Sequence, residues 1–272
     1  MSIDNARNKA FWDKAARSAE GGPGAFAGML MHGNEFAARC RCHGEQEHLL
    51  ELFTPTPNAS VLEIGSGGGR WGLFFADKVR SFVGLDLSAE MVKLADRESK
   101  RRGLTNVTFH CSDLPSYETQ ERFDLVYFSG VLQYMDDETA LACIRKASGL
   151  LSDDGIILSR DSIQTERRVE ETGQYPVIYR LVSEYVALFQ QAGYELQYNA
   201  LSYNNKRFTG LAGRLYALPL VTYTMACAIR DVLGAIDSVL GHPSFLKTSR
   251  HKAGSTTGNP REHRFFKYAR EE

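Results

Sequence analysis

A glycine-rich turn stands between an apolar run and a helical pattern. Residues 61–70 read VLEIGSGGGR, so four of the five residues from 65 to 69 are glycines. Glycines let the backbone approach a ligand closely, and free N–H groups at the start of a helix attract negative charge. The pattern predicts a nucleotide-type binding site where the first strand of a sheet ends.

Two kinds of nucleotide ligand fit this turn. Residues 67–72 also satisfy G-x-G-x-x-G, the dinucleotide-binding pattern, which is a weak signal on its own. Asp86 ends the second predicted strand, 19 residues after Gly67, where an acid could bind ribose hydroxyls. Because both a dinucleotide and an adenosyl cofactor contain ribose, Asp86 does not decide between them.

Three further features favour the adenosyl cofactor. Glu63 precedes the first glycine, where its carboxylate would repel a bound pyrophosphate but could hold a cationic amino acid moiety. The third predicted strand ends near Asp113, which is suited to accept an adenine amino proton, and the fourth strand, Phe123–Phe128, leads into a polar and aromatic turn. In combination, these segments resemble the class I S-adenosylmethionine-dependent methyltransferase family over roughly residues 57–200 and the last predicted strand.

The resemblance implies a fold and a cofactor. The fold is α/β, a Rossmann-like seven-stranded sheet in the order 3-2-1-4-5-7-6, with a helical N-terminal segment and a helical insertion before the last strand. The cofactor is S-adenosyl-L-methionine, with Asp86 on the ribose and Asp113 on the adenine amino group. Arg70 would pair with the cofactor carboxylate, and a surface ion pair is an equally open role for it. The implied cofactor-binding residues are Glu63, Gly65, Gly67, Gly69, Arg70, Asp86, Leu87, Asp113, Leu114 and Ser129.

The methyl acceptor is expected at the carboxyl edge of the sheet, where ligands collect in open α/β folds. Methyl transfer mainly requires the reacting atoms to be held in line, so no fixed catalytic motif is needed. The candidate catalytic residues are Asp161, Tyr134 and Tyr179, and the candidate acceptor-binding residues are Gln133, Arg160, Tyr175 and Arg180.

Asp161 is the strongest of these candidates. It follows the fifth predicted strand and could bind an amine or remove a proton from a hydroxyl. The alternative is a solvated loop acid or an ion pair with Arg160. Some members of the family carry a histidine after the fourth strand, but Gln133 and Tyr134 stand there in this chain. Tyr175, Tyr179 and Arg180 are expected in a helical segment that leads into the sixth strand.

The elements that must position these residues follow from hydrophobic periodicity. Short β-branched runs alternate with amphipathic stretches, which is typical of a parallel sheet covered by helices. Ser88 is expected to cap a helix, since Glu90 follows in its first turn. The predicted strands are Ser60–Ile64, Ser81–Asp86, Asn106–Cys111, Phe123–Phe128, Gly155–Ser159, Tyr194–Leu201 and His263–Ala269.

Four segments make up the predicted domain organisation. They are a helical N-terminal cap (1–50), the cofactor-binding core (51–201), a helical insertion (202–260) and the last strand of the core (261–272). The cap and the insertion carry apolar residues such as Trp12 and Phe208, enough to form a lid over the carboxyl edge. The alternative is that they pack into the core or into a homodimer interface.

Composition excludes several classes of protein. Of 272 residues, 43% are hydrophobic and 24% charged, which is ordinary for a globular chain and excludes collagen-like and broadly disordered classes. A net charge of −1 gives no overall attraction to nucleic acid or acidic membranes. The longest apolar run, Leu215–Ile229, is broken by Pro219 and too short to span a bilayer, so no integral membrane segment is expected.

Cysteine usage indicates a reducing compartment. Five scattered cysteines do not form a secreted disulfide framework, so a cytoplasmic location is expected. The run Cys40-Arg41-Cys42-His43 lacks a second ligand pair elsewhere, so no metal is expected.

The resemblance implies methylation of an oxygen or nitrogen atom on a small molecule, such as a sugar, a lipid-linked compound or a secondary metabolite. A faint similarity to protein α-N-terminal methyltransferases is carried by Phe11-Trp12, Gly28-Met29-Leu30, Arg70 and Arg160-Asp161-Ser162. The missing histidine weakens that interpretation. A third alternative is a partner subunit that binds the cofactor without turnover. The intact glycine turn and its acids argue against this alternative.

Overall fold

The computed structural model describes residues 3–18, 35–164, 168–170, 175–202, 215, 218, 222–239 and 262–270. The chain divides into two compact units. The first comprises residues 1–20, 49–202 and 261–272, and the second comprises residues 21–48 and 203–260. All of the predicted site residues belong to the first unit.

A seven-stranded sheet forms the centre of the first unit. Its strands are β1 Ser60–Ile64, β2 Ser81–Asp86, β3 Val107–Cys111, β4 Phe123–Ser129, β5 Leu151–Ile163, β8 Tyr194–Leu201 and β9 Glu262–Arg270, while β6 Arg168–Glu170 and β7 Val177–Tyr179 form a separate hairpin. The sheet order is β3-β2-β1-β4-β5-β9-β8, and only β9 is antiparallel to its neighbours. The predicted order 3-2-1-4-5-7-6 is therefore confirmed, with β8 and β9 as the sixth and seventh strands of the sheet.

Both faces of the sheet are buried, because successive side chains of a strand point to opposite faces. Leu62 of β1 and Val126 of β4 belong to one buried apolar cluster, whereas Val61 and Leu125 belong to the cluster on the other face. This double burial explains why the central strands are almost continuously apolar.

The helices of the described residues are α1 Asn5–Ser18, α2 Glu35–Leu52, α3 Arg70–Phe75, α4 Ala89–Arg101, α5 Asp137–Ser148, α6 Val182–Gln190 and α7 Tyr223–Val239, with a 3₁₀ turn at Leu132–Tyr134. Ser88 caps α4 as predicted, since its Oγ accepts a hydrogen bond from the Met91 amide at 3.1 Å. Among the helices that the structure describes, none combines the length and apolarity needed to cross a membrane.

The fifth strand is longer than predicted. The sequence predicted Gly155–Ser159, whereas β5 spans Leu151–Ile163. At its start Leu151 pairs with Phe123 of β4, and at its end Ile163 pairs with Glu262 of β9. Arg160 and Asp161 therefore lie inside β5 rather than in a loop after it.

The segment before α6 also differs from the prediction. Tyr179 ends β7 instead of lying in a helix, and Arg180 continues the chain with a parallel bridge to Ile163 at the end of β5. The prediction of a helical segment here is wrong because Val177 and Ile178 are β-branched and pair with β6.

In the second unit, α7 confirms helix within the segment predicted as a helical insertion. Most other residues of 202–260, including Phe208, lie outside the described residues. The lid and the boundaries of the four predicted segments therefore stay predictions.

Candidate functional site

Two positions of the glycine turn after β1 have no room for a side chain. Gly65 and Gly69 have φ values of 78° and 82°, in the left-handed region that favours glycine. A Cβ on Gly65 would lie 2.8 Å from Val131 Cβ, and one on Gly69 would lie 2.7 Å from Phe109 Cζ. The turn is thus packed closely against β3 and the segment after β4, and α3 begins directly after it at Arg70.

Asp86 holds this turn from the end of β2. Its Oδ2 accepts a hydrogen bond from the Gly67 amide at 2.8 Å, and its Oδ1 accepts one from the Ser88 amide at 2.8 Å. Burial raises the pKa of Asp86, and the two amide hydrogen bonds oppose that rise. Each oxygen keeps acceptor capacity after these bonds, since an ionised carboxylate offers about four lone-pair positions.

Hydrogen bonds hold the N-terminal helix, α1, close to Asp86. Ser88 Oγ donates a hydrogen bond to Asp13 Oδ1 of α1 at 2.6 Å, and Lys9 forms an ion pair with Asp13 at 2.7 Å. No sequence pattern singled out Asp13, because this contact joins residues far apart in the chain. The contact brings α1 to the carboxyl edge of the sheet.

Glu63 is a buried acid near the turn. It is 1% exposed, and burial raises its pKa to about 8. The charge of Arg70 and a hydrogen bond from Ser129 lower the pKa but do not cancel the effect of burial. Its Oε2 accepts no hydrogen bond from the part of the chain that the structure describes. The guanidinium of Arg70 stacks 4.3 Å from the centroid of the Trp71 ring.

The remaining cofactor candidates differ in exposure. Asp113 is exposed, and its Oδ1 accepts a hydrogen bond from the Ser116 amide at 2.8 Å. Leu87 is 42% exposed, whereas Leu114 is 1% exposed and belongs to the apolar core. Of these two leucines, both implied as cofactor-binding residues, only Leu87 presents its side chain to solvent in this structure.

A 3₁₀ turn after β4 carries Gln133 and Tyr134, and Arg180 holds it in place. The fully buried guanidinium of Arg180 donates from Nη1 to the Leu132 carbonyl and from Nη2 to the Met135 carbonyl, both at 2.7 Å. Its Nε donates to Asp137 Oδ1 at 2.8 Å. Arg180, predicted to bind the acceptor, thus positions the turn through these contacts.

Asp161 lies in β5 near the same turn and is fully buried, so the alternative of a solvated loop acid is wrong. Burial raises the pKa of Asp161 to about 7. The charge of Arg180 and the nearby donors, which are the Ser159 hydroxyl and the amides of Leu132 and Gln133, lower the pKa but only partly offset the effect of burial. Neither Asp161 oxygen has a well-formed hydrogen bond to the described residues, and the same holds for Gln133 Oε1.

Four half-buried aromatic rings meet at this turn, and we call them the aromatic cluster. They are Phe11, Trp12, Tyr134 and Tyr175. Trp12 lies 6.0 Å from Tyr134 and 5.9 Å from Tyr175 between ring centroids, and the two tyrosine rings lie 5.5 Å apart. Burial and the neighbouring Tyr175 hold the pKa of Tyr134 well above its ordinary value, so its phenol stays neutral. Tyr179 is only 4% exposed.

The predicted acceptor residues therefore gather at one edge. The ends of β4 and β5 are adjacent, with Ser129 opposite Arg160, which is 9% exposed. Across the ranges that the structure describes, no group of three histidine, cysteine or acidic side chains is placed to hold a metal ion.

Comparison with known proteins identifies a methyltransferase domain. The profile of a family described as "Methyltransferase domain" matches residues 61–155. The chain is 34% identical to (S)-coclaurine N-methyltransferase of Papaver somniferum over 100 residues, which are 36% of this chain and 28% of that protein. It is 28% identical to phosphoethanolamine N-methyltransferase 1 of Arabidopsis thaliana over 150 residues, 54% of this chain and 30% of that protein. The chain thus spans less than a third of the length of these two relatives.

The fold is also similar to solved structures. Coclaurine N-methyltransferase bound to N-methylheliamine and SAH has a TM-score of 0.57 at 17% identity, covering 84% of this chain and 72% of that chain. This likeness supports the fold, and the family match coincides with β1 to the start of β5, where the glycine turn, Glu63 and Asp86 lie. Residues 61–155 of this chain therefore form a methyltransferase domain, as the family model describes it.

Proposed function

We propose that this chain transfers a methyl group from S-adenosyl-L-methionine to a nitrogen or oxygen atom of a small molecule. The observation that carries the proposal is Asp86, whose carboxylate is held by the amides of Gly67 and Ser88 at the mouth of the glycine turn. An acid oriented in this way beside closely packed glycines suits the ribose of an adenosyl cofactor.

The residues around the turn fit this cofactor. Glu63 Oε2 is buried and lacks a hydrogen bond from the described residues, so an ammonium group would supply its partner. An ammonium group would favour the ionised form of this buried acid, whereas a pyrophosphate would disfavour it. Glu63 and Arg70 would hold the methionine part, Asp86 the ribose and Asp113 the adenine amino group. The cofactor, when bound, supplies an electrophilic methyl group on its sulfonium.

The acceptor side is assigned to Asp161 and the turn that Arg180 positions. A group with a pKa of about 7 is partly ionised at neutral pH, so Asp161 can take the proton that the acceptor atom loses. Gln133 and Tyr134 would orient the acceptor from the turn, with Arg160, Tyr175 and Tyr179 around it. The aromatic cluster would exclude water from the reacting atoms.

Nitrogen is the acceptor atom that we favour. The two relatives above are named as N-methyltransferases, and ring faces attract a positively charged nitrogen. Trp12, Tyr134 and Tyr175 provide such rings within one cluster. We therefore propose a small amine as the first class of acceptor to test.

Titration calorimetry with S-adenosylhomocysteine and, separately, with NADH tests the cofactor. We expect S-adenosylhomocysteine to bind and NADH to give no heat of binding. Binding of NADH without any response to S-adenosylhomocysteine would overturn the proposal.

Turnover with labelled S-adenosylmethionine tests the acceptor. Small amines, phenols and a peptide with a free N-terminus are offered in parallel, and the product is identified by mass spectrometry. Methylated amine or phenol supports the proposal, whereas labelling of the peptide alone supports a protein α-N-terminal methyltransferase. If the chain binds the cofactor but methylates none of these acceptors, and none in a cell extract, the result supports a non-catalytic partner subunit.

A further inference from the structure

Two cysteines from distant parts of the chain meet in the second unit. Cys40 lies in α2 and Cys227 in α7, and both pack against the same small apolar cluster. Tyr223, Cys227 and Arg230 are spaced i, i+4 and i+7 along α7, so all three lie on one face of that helix.

The contacts of Cys40 show which face this is. Arg230 Nη1 donates a hydrogen bond to Cys40 Sγ at 3.1 Å, and the Tyr223 hydroxyl donates one at 3.9 Å. Cys227 lies between these two residues along the helix, which places its side chain on the face that contacts Cys40. Both cysteine side chains pack against the same apolar cluster, and both are only half-buried.

We propose that Cys40 and Cys227 form an oxidisable dithiol that closes to a disulfide between α2 and α7. Arg230 provides the positive charge that favours the Cys40 thiolate, which is the reactive form. Burial raises the pKa of Cys40, while the hydrogen bond from Tyr223 and the charge of Arg230 act against that rise. The thiolate would therefore form transiently and react when a small oxidant reaches it.

With hydrogen peroxide as the oxidant, the chemistry balances in two steps. The Cys40 thiolate attacks one peroxide oxygen, the O–O bond breaks, and the leaving hydroxide takes up a proton to become water. The Cys227 thiolate then attacks the sulfenic sulfur of Cys40, and the departing hydroxide is protonated to a second water. Overall, two thiols lose two protons and two electrons, and one peroxide is reduced to two waters.

The test is made on the full chain, reduced and then treated with hydrogen peroxide. Free thiols are counted under denaturing conditions, and the digest is mapped by mass spectrometry without reductant. We expect the five thiols of the reduced chain to fall to three, with one reducible peptide pair joining Cys40 to Cys227. The map on the unaltered protein needs no variant, so misfolding of a mutant cannot obscure it.

Variants then test the roles of individual residues. Cys40→Ala and Cys227→Ala should each abolish the link, whereas Cys111→Ala, at an exposed thiol, should leave it intact. Arg230→Met should slow closure roughly three- to tenfold because less thiolate is present, while Arg122→Met, at an exposed arginine, should not change the rate. A link through Cys42 or Cys111, or five thiols still free after peroxide, would overturn the proposal.

Discussion

At the scale of single residues, Asp86 connects the end of β2 to the glycine turn through two backbone amides. Asp86→Asn replaces one acceptor oxygen by a donor and removes the negative charge. We expect the affinity for S-adenosylhomocysteine to fall roughly 10- to 100-fold, since hydrogen bonds to a charged group are worth about 1.5–3 kcal/mol. Calorimetry measures the change. Asp154→Asn, at an exposed acid of β5, should bind like the unaltered protein, and equal affinity in both variants would remove Asp86 from the cofactor site.

The two buried acids, Glu63 and Asp161, predict a pH dependence of stability. Their pKa values are about 8 and about 7 in the folded chain, above the ordinary 4.5 and 3.8. The folded chain therefore binds more protons than the unfolded chain between roughly pH 4 and pH 8, and its stability falls as the pH rises through that window. Urea unfolding should give a free energy of unfolding that is lower at pH 8 than at pH 5, by an amount on the order of 3–6 kcal/mol from these two groups.

Neutral variants isolate this effect from other titrations. The double variant Glu63→Gln, Asp161→Asn should lose most of the fall between pH 5 and pH 8, whereas Asp153→Asn, at an exposed acid, should keep it. The same pH profile in the double variant and the unaltered protein would show that these acids do not carry the effect.

At the scale of elements, the glycine turn can be tested with a matched pair of substitutions. Gly69 and Gly103 both have positive φ, but a Cβ at Gly69 would lie 2.7 Å from Phe109 and 2.8 Å from Ala95, whereas none of the described atoms lies within 4 Å of one at Gly103. Gly103→Ala should cost about 1–2 kcal/mol from backbone strain alone. Gly69→Ala should cost a further 1–3 kcal/mol, roughly, from overpacking.

Urea denaturation of the two glycine variants measures the difference between their free energies of unfolding. Equal losses would mean that Phe109 moves aside without cost, and the turn would then be less rigidly packed than its contacts indicate.

The elements also show how far sequence reasoning reaches. The glycine turn, the Ser88 cap and the strand order follow from local patterns and from the family resemblance. The extension of β5 does not, because its partner β9 lies about a hundred residues further along the chain. For the same reason, nothing local indicated that Arg180 holds the turn before α5 or that Asp13 reaches Ser88.

At the scale of the whole molecule, the sheet depends on β9. This strand lies between β5 and β8 and pairs with both. Removing residues 261–272 should abolish cooperative unfolding of the first unit, because β5 gains an open edge and β8 loses its partner in the sheet. Thermal unfolding followed by circular dichroism measures this. Removal of residues 271–272 alone should leave the transition in place, and an unchanged transition in the longer truncation would contradict the role of β9.

The position of β9 also sets an order for events on the ribosome. Strands β1 to β5 leave the exit tunnel early, yet β5 keeps an unpaired edge until residues 262–270 have been translated. During that interval the nascent chain displays apolar strand surface, the kind of surface that chaperones bind. Asp161 lies opposite Arg264 of β9, so the docking of β9 adds to the burial that raises the pKa of Asp161. Synthesis of β9, rather than of the glycine turn, is thus the step that completes the sheet beside the candidate site.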